Sequence, residues 1–205
     1  MEQKDIYAEL SSIRELMERS SKFISLSGLS GVLAGVYALA GAGCARLLIN
    51  KHFKFSKSGV YINLQEALWQ LFLIALAVLV LSIVTSYWLT IRKAKKRNEN
   101  VWNPVSRRLL AVSGVPFFTG GLFIIAMLLR DEYTFIAPAC LIFYGLALVA
   151  GGDYTFTEVR WLGICQILLG LAALVLPRHG LILWTVGFGL LHIVYGTIMH
   201  FKYER

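Results

Sequence analysis

The chain has 205 residues, of which 57% are hydrophobic and 16% charged, and its mean hydropathy is +0.65. Soluble domains carry about a quarter charged residues, so this composition excludes an ordinary soluble fold. The apolar residues form long runs separated by short charged segments. A helix of about 20 apolar residues crosses the ~30 Å hydrocarbon core of a bilayer, so we predict an all-α polytopic membrane helix bundle.

The first segment, residues 1–22, precedes the apolar runs and predicts a cytoplasmic amphipathic helix over 5–20. Its apolar residues recur at alternating spacings of four and three: Ile6, Leu10, Ile13 and Met17. Acids slightly outnumber bases up to Lys22, so an anionic lipid surface is not an obvious partner. We expect docking on the protein's own basic loop, on a second copy or on a cytoplasmic protein.

Six transmembrane spans are predicted within residues 23–200, and a cytoplasmic tail follows at 201–205. They cover 23–49, 63–91, 108–129, 135–150, 160–177 and 181–200. The fourth is the weakest because it is short and begins near Pro138. A five-span arrangement, with part of 135–160 re-entrant, is the alternative. The first run has no cleavage site before a polar mature domain, so it is interpreted as a span and not as a signal peptide.

The basic residues predict the orientation. The net charge of +8 could suggest nucleic acid, but seven of the twenty bases lie in the loop 92–108, which is typical of a cytoplasmic topology signal. With the amino terminus inside, fourteen bases are cytoplasmic and six are outside. We therefore expect both termini in the cytoplasm of a bacterial cell, a multi-pass protein of its inner membrane, and no nucleic-acid partner.

Small residues predict where the spans meet, because helix association in lipid depends on close backbone approach. Ser27, Gly31 and Gly35 recur at four-residue spacing in the first span, and Gly163 and Gly170 lie seven apart in the fifth. A compact bundle explains these faces without a ligand. A homo-oligomer is compatible with them.

His192 is the most informative intramembrane group, because ionisable residues within spans are expensive. It lies near the middle of the sixth span with Gly189 and Gly196 on the same predicted helix face, so we expect it to face another helix. Gln166, Tyr144 or a serine of the first two spans could bond it, and Tyr195 is one helical step away. It is interpreted either as a neutral packing histidine or as a proton-handling or ligand-contacting group, since the unperturbed imidazole pKa is ~6.5.

A second polar group is expected at the outer face and is called the outer polar cluster. Its members are Arg46, Asn63, Glu66, Gln70, Asp131 and Glu132. Arg46 is expected to pair with Glu66 or with the turn acids, and the cluster is interpreted as a structural clasp or as the mouth of a polar cavity. At the inner face a looser group is expected to be solvated loop charges, around Asp153, Glu158, Arg160, Gln166 and His200.

Motifs for metal, haem, phosphate or nucleophilic chemistry do not occur in the sequence, so we predict no catalytic residue, no metal site and no cofactor. The three cysteines, Cys44, Cys140 and Cys165, are interpreted as packing residues, with a Cys44–Cys140 pairing as the alternative.

Two stretches, residues 18–31 and 187–196, resemble a family of small, uncharacterised multi-pass bacterial membrane proteins. No activity is assigned to that family, so the resemblance implies a bacterial membrane protein and transfers no functional residue.

The sequence favours a non-enzymatic protein, either a small transporter or channel-like protein or a membrane sensor, with His192 at its centre. One alternative is an integral membrane enzyme or lipid-modifying factor that uses the outer polar cluster. Another is a scaffold or assembly factor that recruits a cytoplasmic partner through residues 5–20 and 92–108. A polar cavity at His192 would favour transport, a carboxylate pair in a cleft an enzyme, and a dry bundle a scaffold.

Overall fold

The computed structural model describes residues 27–57, 64–96 and 100–203. Of these residues 93% are helical and none is in a strand, which confirms the all-α class. The predicted amphipathic helix over 5–20, and Asn63 of the outer polar cluster, lie outside the described residues.

Five long helices and one interrupted helix make up the described chain. The long helices are α1 (Gly28–Lys57), α2 (Leu64–Lys96), α3 (Pro104–Leu129), α4 (Ile136–Gly151) and α5 (Thr157–Val175). The interrupted helix consists of α6 (Gly180–Trp184), a π-helical segment (Thr185–Leu191) and α7 (His192–Tyr203). Single 3₁₀ turns cover Tyr133–Phe135, Gly152–Tyr154 and Pro177–His179.

Six helical segments are long and apolar enough to cross a membrane. They are Gly28–His52, Glu66–Lys96, Pro104–Leu129, Tyr133–Tyr154, Thr157–Val175 and Pro177–Tyr203. We call the last of these the sixth segment. The fourth, the weakest in sequence, is 22 residues long because a 3₁₀ turn extends α4 at each end. Pro138 lies in the first turn of α4, where its missing N–H breaks no helical hydrogen bond.

Local chemistry explains why two helices extend beyond the predicted apolar runs. The end of α2 continues to Lys96 because Lys93, Lys95 and Lys96 lie in its last turn, where cations interact favourably with the helix dipole. The start of α3 at Pro104 is set by a capping box, in which the Asn103 side chain accepts from the Ser106 N–H at 2.8 Å and the Ser106 hydroxyl accepts from the Asn103 N–H at 3.0 Å.

The segments pack in the neighbour order α2, α1, sixth segment, α5, α4, α3. Helices α2 and α3 are consecutive in the chain but form no extended contact with each other, and they lie at the two edges of the described bundle. Only 6% of the apolar stretch of each is buried, so both present apolar side chains outward. The start of α3 contacts the end of α4, and the start of α5 bonds the end of α7. We call this end of the bundle the basic end.

Small residues make the closest helix contacts, as expected when lipid is the alternative neighbour of an apolar side chain. A Cβ added at Gly35 of α1 would lie 2.6 Å from the Gly189 carbonyl oxygen of the sixth segment. A Cβ added at Gly145 of α4 would lie 2.7 Å from the Gly163 carbonyl oxygen of α5. The two glycine contacts set the spacing of the α1–sixth segment and α4–α5 pairs.

Candidate functional site: the polar junction at His192

His192 begins α7, and its side chain is bonded at both nitrogens. Nε2 lies 2.9 Å from the Tyr144 hydroxyl of α4, and Nδ1 lies 2.9 Å from the Gly187 carbonyl oxygen. A carbonyl oxygen only accepts, so Nδ1 carries the proton. In the neutral ring Nε2 is then the acceptor, and the Tyr144 hydroxyl donates to it. The geometry therefore determines the tautomer.

Gln166 of α5 completes the group that we call the polar junction: His192, Tyr144, Gln166 and the Gly187 carbonyl. Its Nε2 donates to the same Gly187 oxygen at 2.9 Å, which also determines the orientation of the amide. The 3.5 Å between this nitrogen and His192 Nδ1 separates two donors, so it is not a productive bond. One backbone oxygen thus accepts from two side chains.

The junction is sealed, and one of its polar atoms has no partner. His192 is 6% exposed and Gln166 is 0% exposed. Among the described residues, Gln166 Oε1 is buried without a hydrogen-bond partner. A buried unpaired acceptor costs ~1–3 kcal/mol, and such atoms are rare in native interiors. The Gln166 Oε1 atom of the junction could therefore accept a further hydrogen bond.

The π-helical segment Thr185–Leu191 directly precedes His192. The backbone N–H of His192 donates to the Gly189 carbonyl, and the Gly187 carbonyl accepts from the side chains of His192 and Gln166. Short π-helical stretches are uncommon and occur frequently at functional sites. In this span the stretch coincides with the polar junction.

Aromatic rings form the wall of the junction. The Phe188 ring stacks on His192 with centroids 5.7 Å apart, and it also contacts Tyr144 at 5.1 Å and Trp184 at 5.0 Å. These rings keep water and lipid from the imidazole at its sides. The polar contacts of His192 are thus confined to the two bonds made by its nitrogens.

The glycines beside His192 do not face the same helix as its ring. Gly189 and Gly196 pack against α1, and a Cβ at Gly196 would lie 2.5 Å from the Gly28 carbonyl oxygen. The imidazole instead reaches α4. The ring thus bonds another helix, as expected, but it does not share a face with the two glycines. The sixth segment meets different neighbours with its two sides, so it links α1 to α4 and α5.

Tyr195 lies one turn from the junction toward the basic end. Its ring packs in an apolar cluster with Met199 and Phe156, while its hydroxyl oxygen is buried and has no hydrogen-bond partner among the described residues. Tyr203 packs against the same cluster. The Tyr195 hydroxyl is the second unpaired buried oxygen near His192.

The basic end ties the start of α5 to the end of α7. The Glu158 carboxylate accepts from Lys202 Nζ at 2.5 Å and from the Tyr203 hydroxyl at 3.1 and 3.3 Å. Tyr203 also stacks on Phe156, with ring centroids 4.2 Å apart. The sequence reading did not anticipate this link, although the positions His192, Tyr195, Met199 and Tyr203 recur at spacings of three and four on one face of α7.

The outer polar cluster is divided in the structure. Arg46 and Glu66 are exposed on α1 and α2, and Gln70 Nε2 lies 3.4 Å from Glu66 Oε1. Asp131 and Glu132 are exposed in the turn after α3, at the other edge of the neighbour order.

The expected ion pair of Arg46 with Glu66, Asp131 or Glu132 does not occur among the described residues, so they do not form the expected clasp. Asp131 instead accepts from the Tyr133 hydroxyl at 2.5 Å. The position of each residue along its predicted span placed these groups at the same face of the membrane. That position predicts depth in the bilayer but not which helices are neighbours.

The remaining predicted polar residues lie at the basic end. Arg160 Nη1 forms an exposed ion pair with Asp153 at 3.4 Å, a type that contributes little to stability. His200 follows on α7 and makes interactions of its own, while Gln166 belongs to the junction. Within the described ranges no three His, Cys, Asp or Glu side chains could hold a metal ion. Cys44, Cys140 and Cys165 are free thiols.

No family model, curated protein or solved structure matches the chain. Function must therefore be inferred from these residues and their geometry.

Proposed function

We propose that the protein is a non-enzymatic membrane sensor whose responsive element is the polar junction at His192. The supporting observation is the buried junction with an unpaired acceptor, Gln166 Oε1, beside a titratable ring that directly follows a π-helical stretch. A buried network that contains an unpaired acceptor can change its hydrogen-bond pattern, because a change in protonation redistributes its donors and acceptors.

Protonation of His192 would reverse one bond of the junction. The ring would donate from both nitrogens, so Tyr144 could no longer donate to Nε2 and would have to accept. A charge in the bilayer interior is also expensive, which favours a rearrangement that brings a new partner or water. The sixth segment would transmit this change, because it packs on α1 with one side and bonds α4 and α5 with the other.

The sealing of His192 gives a small transporter or channel less support than a sensor, because the ring lines no polar cavity in this state. An enzyme or lipid-modifying factor has less support because it would use the outer polar cluster. The described members of that cluster are divided between α1 and α2 on one side of the bundle and the turn after α3 on the other. A scaffold is the second candidate and is favoured by the dry centre. The unpaired oxygens of Gln166 and Tyr195 favour the sensor over it.

The proposal includes a location and partners. We place the protein in the bacterial inner membrane with both termini in the cytoplasm, on the bias of fourteen bases against six. The lipid bilayer covers the apolar edges formed by α2 and α3. A second copy and a cytoplasmic protein that binds residues 5–20 and 92–108 are the further partners we propose.

The test measures the separation of α1 and α5 as a function of pH. Spin labels on the exposed Cys44 and Cys165, in a Cys140→Ala background, report on the two sides of the sixth segment. In lipid nanodiscs we expect the label distance to change when the pH is lowered far enough from about pH 8 to protonate His192. His192→Asn retains a donor near the Nδ1 position and should hold one distance throughout.

His179→Asn is the matched control, because His179 is exposed beyond the start of α6. It should keep the full distance change. An unchanged distance in the unmodified sequence, or a change that persists in His192→Asn with retained helicity by circular dichroism, would refute the sensor proposal.

A further inference from the structure

Polar residues form a series between the basic end and His192, with Tyr203 and Tyr195 on one face of α7 and Glu158 and Tyr144 on α5 and α4. Tyr203 bonds Glu158, Tyr195 follows two turns further in, and Tyr144 bonds His192. Tyr203 and His192 are eleven residues apart, which corresponds to ~16 Å of helix, about half of a ~30 Å hydrocarbon core. A series of hydroxyls thus leads from a half-buried carboxylate toward the middle of the span.

Two links of this series are made, and its middle member is unbonded. The Tyr203 hydroxyl lies 3.1 Å from Glu158 Oε1, and the Tyr144 hydroxyl lies 2.9 Å from His192 Nε2. Tyr195 packs against the same apolar cluster as Tyr203, and its buried hydroxyl has no partner in the described structure. If the Tyr195 ring served packing alone, phenylalanine in its place would lose no stability, because an unpaired buried polar atom destabilises the fold.

We propose that Glu158, Tyr203, Tyr195 and Tyr144 form a proton relay that delivers a proton from the basic end to His192, and that Tyr195 is the point at which the relay opens and closes. The inference rests on the proposed function in naming His192 as the acceptor, and it adds the route and the side of entry. A water molecule or a side-chain rotation at Tyr195 makes the two missing links.

The relay conserves protons at each member. His192 Nε2 gains the Tyr144 hydroxyl proton, Tyr144 regains one from Tyr195, Tyr195 from Tyr203, and Tyr203 from the protonated Glu158 carboxyl. The transfers occur in concert, because a free tyrosinate is unfavourable near neutral pH. The net result is one proton moved from Glu158 to His192, with every tyrosine unchanged.

The groups around His192 give this route no competitor among its packed neighbours. Helix α4 presents Tyr144, while α5 presents the neutral Gln166 at this level and Glu158 at the basic end. Helix α1 presents Gly31 and Gly35, which contact the backbone and the Tyr195 and Ile193 side chains of the sixth segment. In the other direction Cys140 of α4 lies beside Trp184.

Glu158 lies between solvent and the Tyr203 hydroxyl. Lys202 Nζ bonds Glu158 Oε1, and 20% of the Glu158 side chain remains exposed. Asp153 and Arg160 pair with each other nearby and are exposed. Glu158 therefore contacts solvent on one side and the Tyr203 hydroxyl on the other.

The experiment follows His192 protonation in time. The full chain with ring-labelled histidine is placed in lipid nanodiscs, the pH is dropped rapidly, and infrared difference bands are recorded, those of His192 being the bands lost in His192→Asn. Tyr195→Phe should slow the rise of these bands by about tenfold or more, since it removes one acid–base member. Glu158→Gln should slow it similarly.

Tyr37→Phe is the matched control, because Tyr37 is a half-buried tyrosine of α1 outside the series, and it should leave the rate unchanged. A rate unchanged in both Tyr195→Phe and Glu158→Gln would overturn the relay, and if Tyr195→Phe fails to fold, Glu158→Gln decides. In proteoliposomes of known orientation, acid on the side that holds Glu158 should protonate His192 first; faster protonation from the opposite side would also overturn it.

The two proposals fail separately. A pH-dependent Cys44–Cys165 distance with an unaltered protonation rate in the relay variants would retain the sensor and reject the relay. Slowed protonation without any distance change would retain the relay and reject the sensor.

Discussion

The tautomer of His192 follows from the chemistry of its two partners and not from the ring itself. A backbone carbonyl on one nitrogen requires an N–H there, and the Tyr144 hydroxyl supplies the hydrogen for the other. The same carbonyl also binds Gln166, so the three side chains depend on one another. Removal of a single hydroxyl should therefore affect all three side chains of the junction.

Tyr144→Phe should lower the free energy of unfolding by ~1–3 kcal/mol. The change leaves His192 Nε2 buried without a donor, and an unsatisfied buried acceptor costs about that much. Thermal unfolding in detergent or nanodiscs measures the loss. Tyr87→Phe, at a 63% exposed position of α2, should be neutral; equal effects of the two changes would show that the Tyr144 bond is not stabilising.

At the scale of helices, the α4–α5 pair is held by direct backbone approach. Gly145 and Gly163 lie against each other's carbonyl oxygens, so neither position has room for a methyl group. Close contact of this kind provides the van der Waals packing on which helix association in lipid depends. It also keeps Tyr144 and Gln166, on the two helices, at bonding distance from the sixth segment.

Gly145→Ala should destabilise the protein by ~1–3 kcal/mol, because its Cβ would overlap the Gly163 carbonyl and push α4 and α5 apart. Gly121→Ala on α3 is the matched control, since no heavy atom lies within 4 Å of its added Cβ and alanine favours the helix. The melting temperatures of the two variants provide the comparison. A loss at Gly121→Ala as large as that at Gly145→Ala would argue against the α4–α5 contact.

At the scale of the molecule, the bundle has two edges and one central link. Helices α2 and α3 each pack on one long neighbour, whereas the sixth segment contacts α1 on one side and α4 and α5 on the other. A displacement of the sixth segment therefore changes the relation of the two sides. This position is the reason that a junction on it can serve a sensor.

Reporter fusions at Arg205 and within 92–107 should both indicate the cytoplasm, because basic residues are retained on that side during insertion. A fusion in the turn at Asp131 should indicate the opposite side and is the matched comparison. A periplasmic signal from Arg205 or from the basic loop would contradict the proposed orientation.

The sequence by itself determined the class of the protein and the number of its long apolar helices. Both follow from composition and run length, which are local properties that the bilayer thickness converts into structure. The depth of His192 near the middle of the sixth segment was predictable for the same reason, since depth follows from position along a helix. The contact of α1 through Gly31 and Gly35 was also predictable, because close approach requires small residues.

Only the tertiary structure decided which groups meet. Arg46 and Asp131 have similar predicted depths but lie on different sides of the sixth segment, and Gly189 faces α1 while His192 reaches α4. The hydrogen bond of Gln166 to the Gly187 carbonyl depends on a π-helical stretch that no pattern in the sequence predicts. Lateral order and helix rotation arise from contacts between segments distant in sequence, whereas periodicity within one segment specifies only its own face.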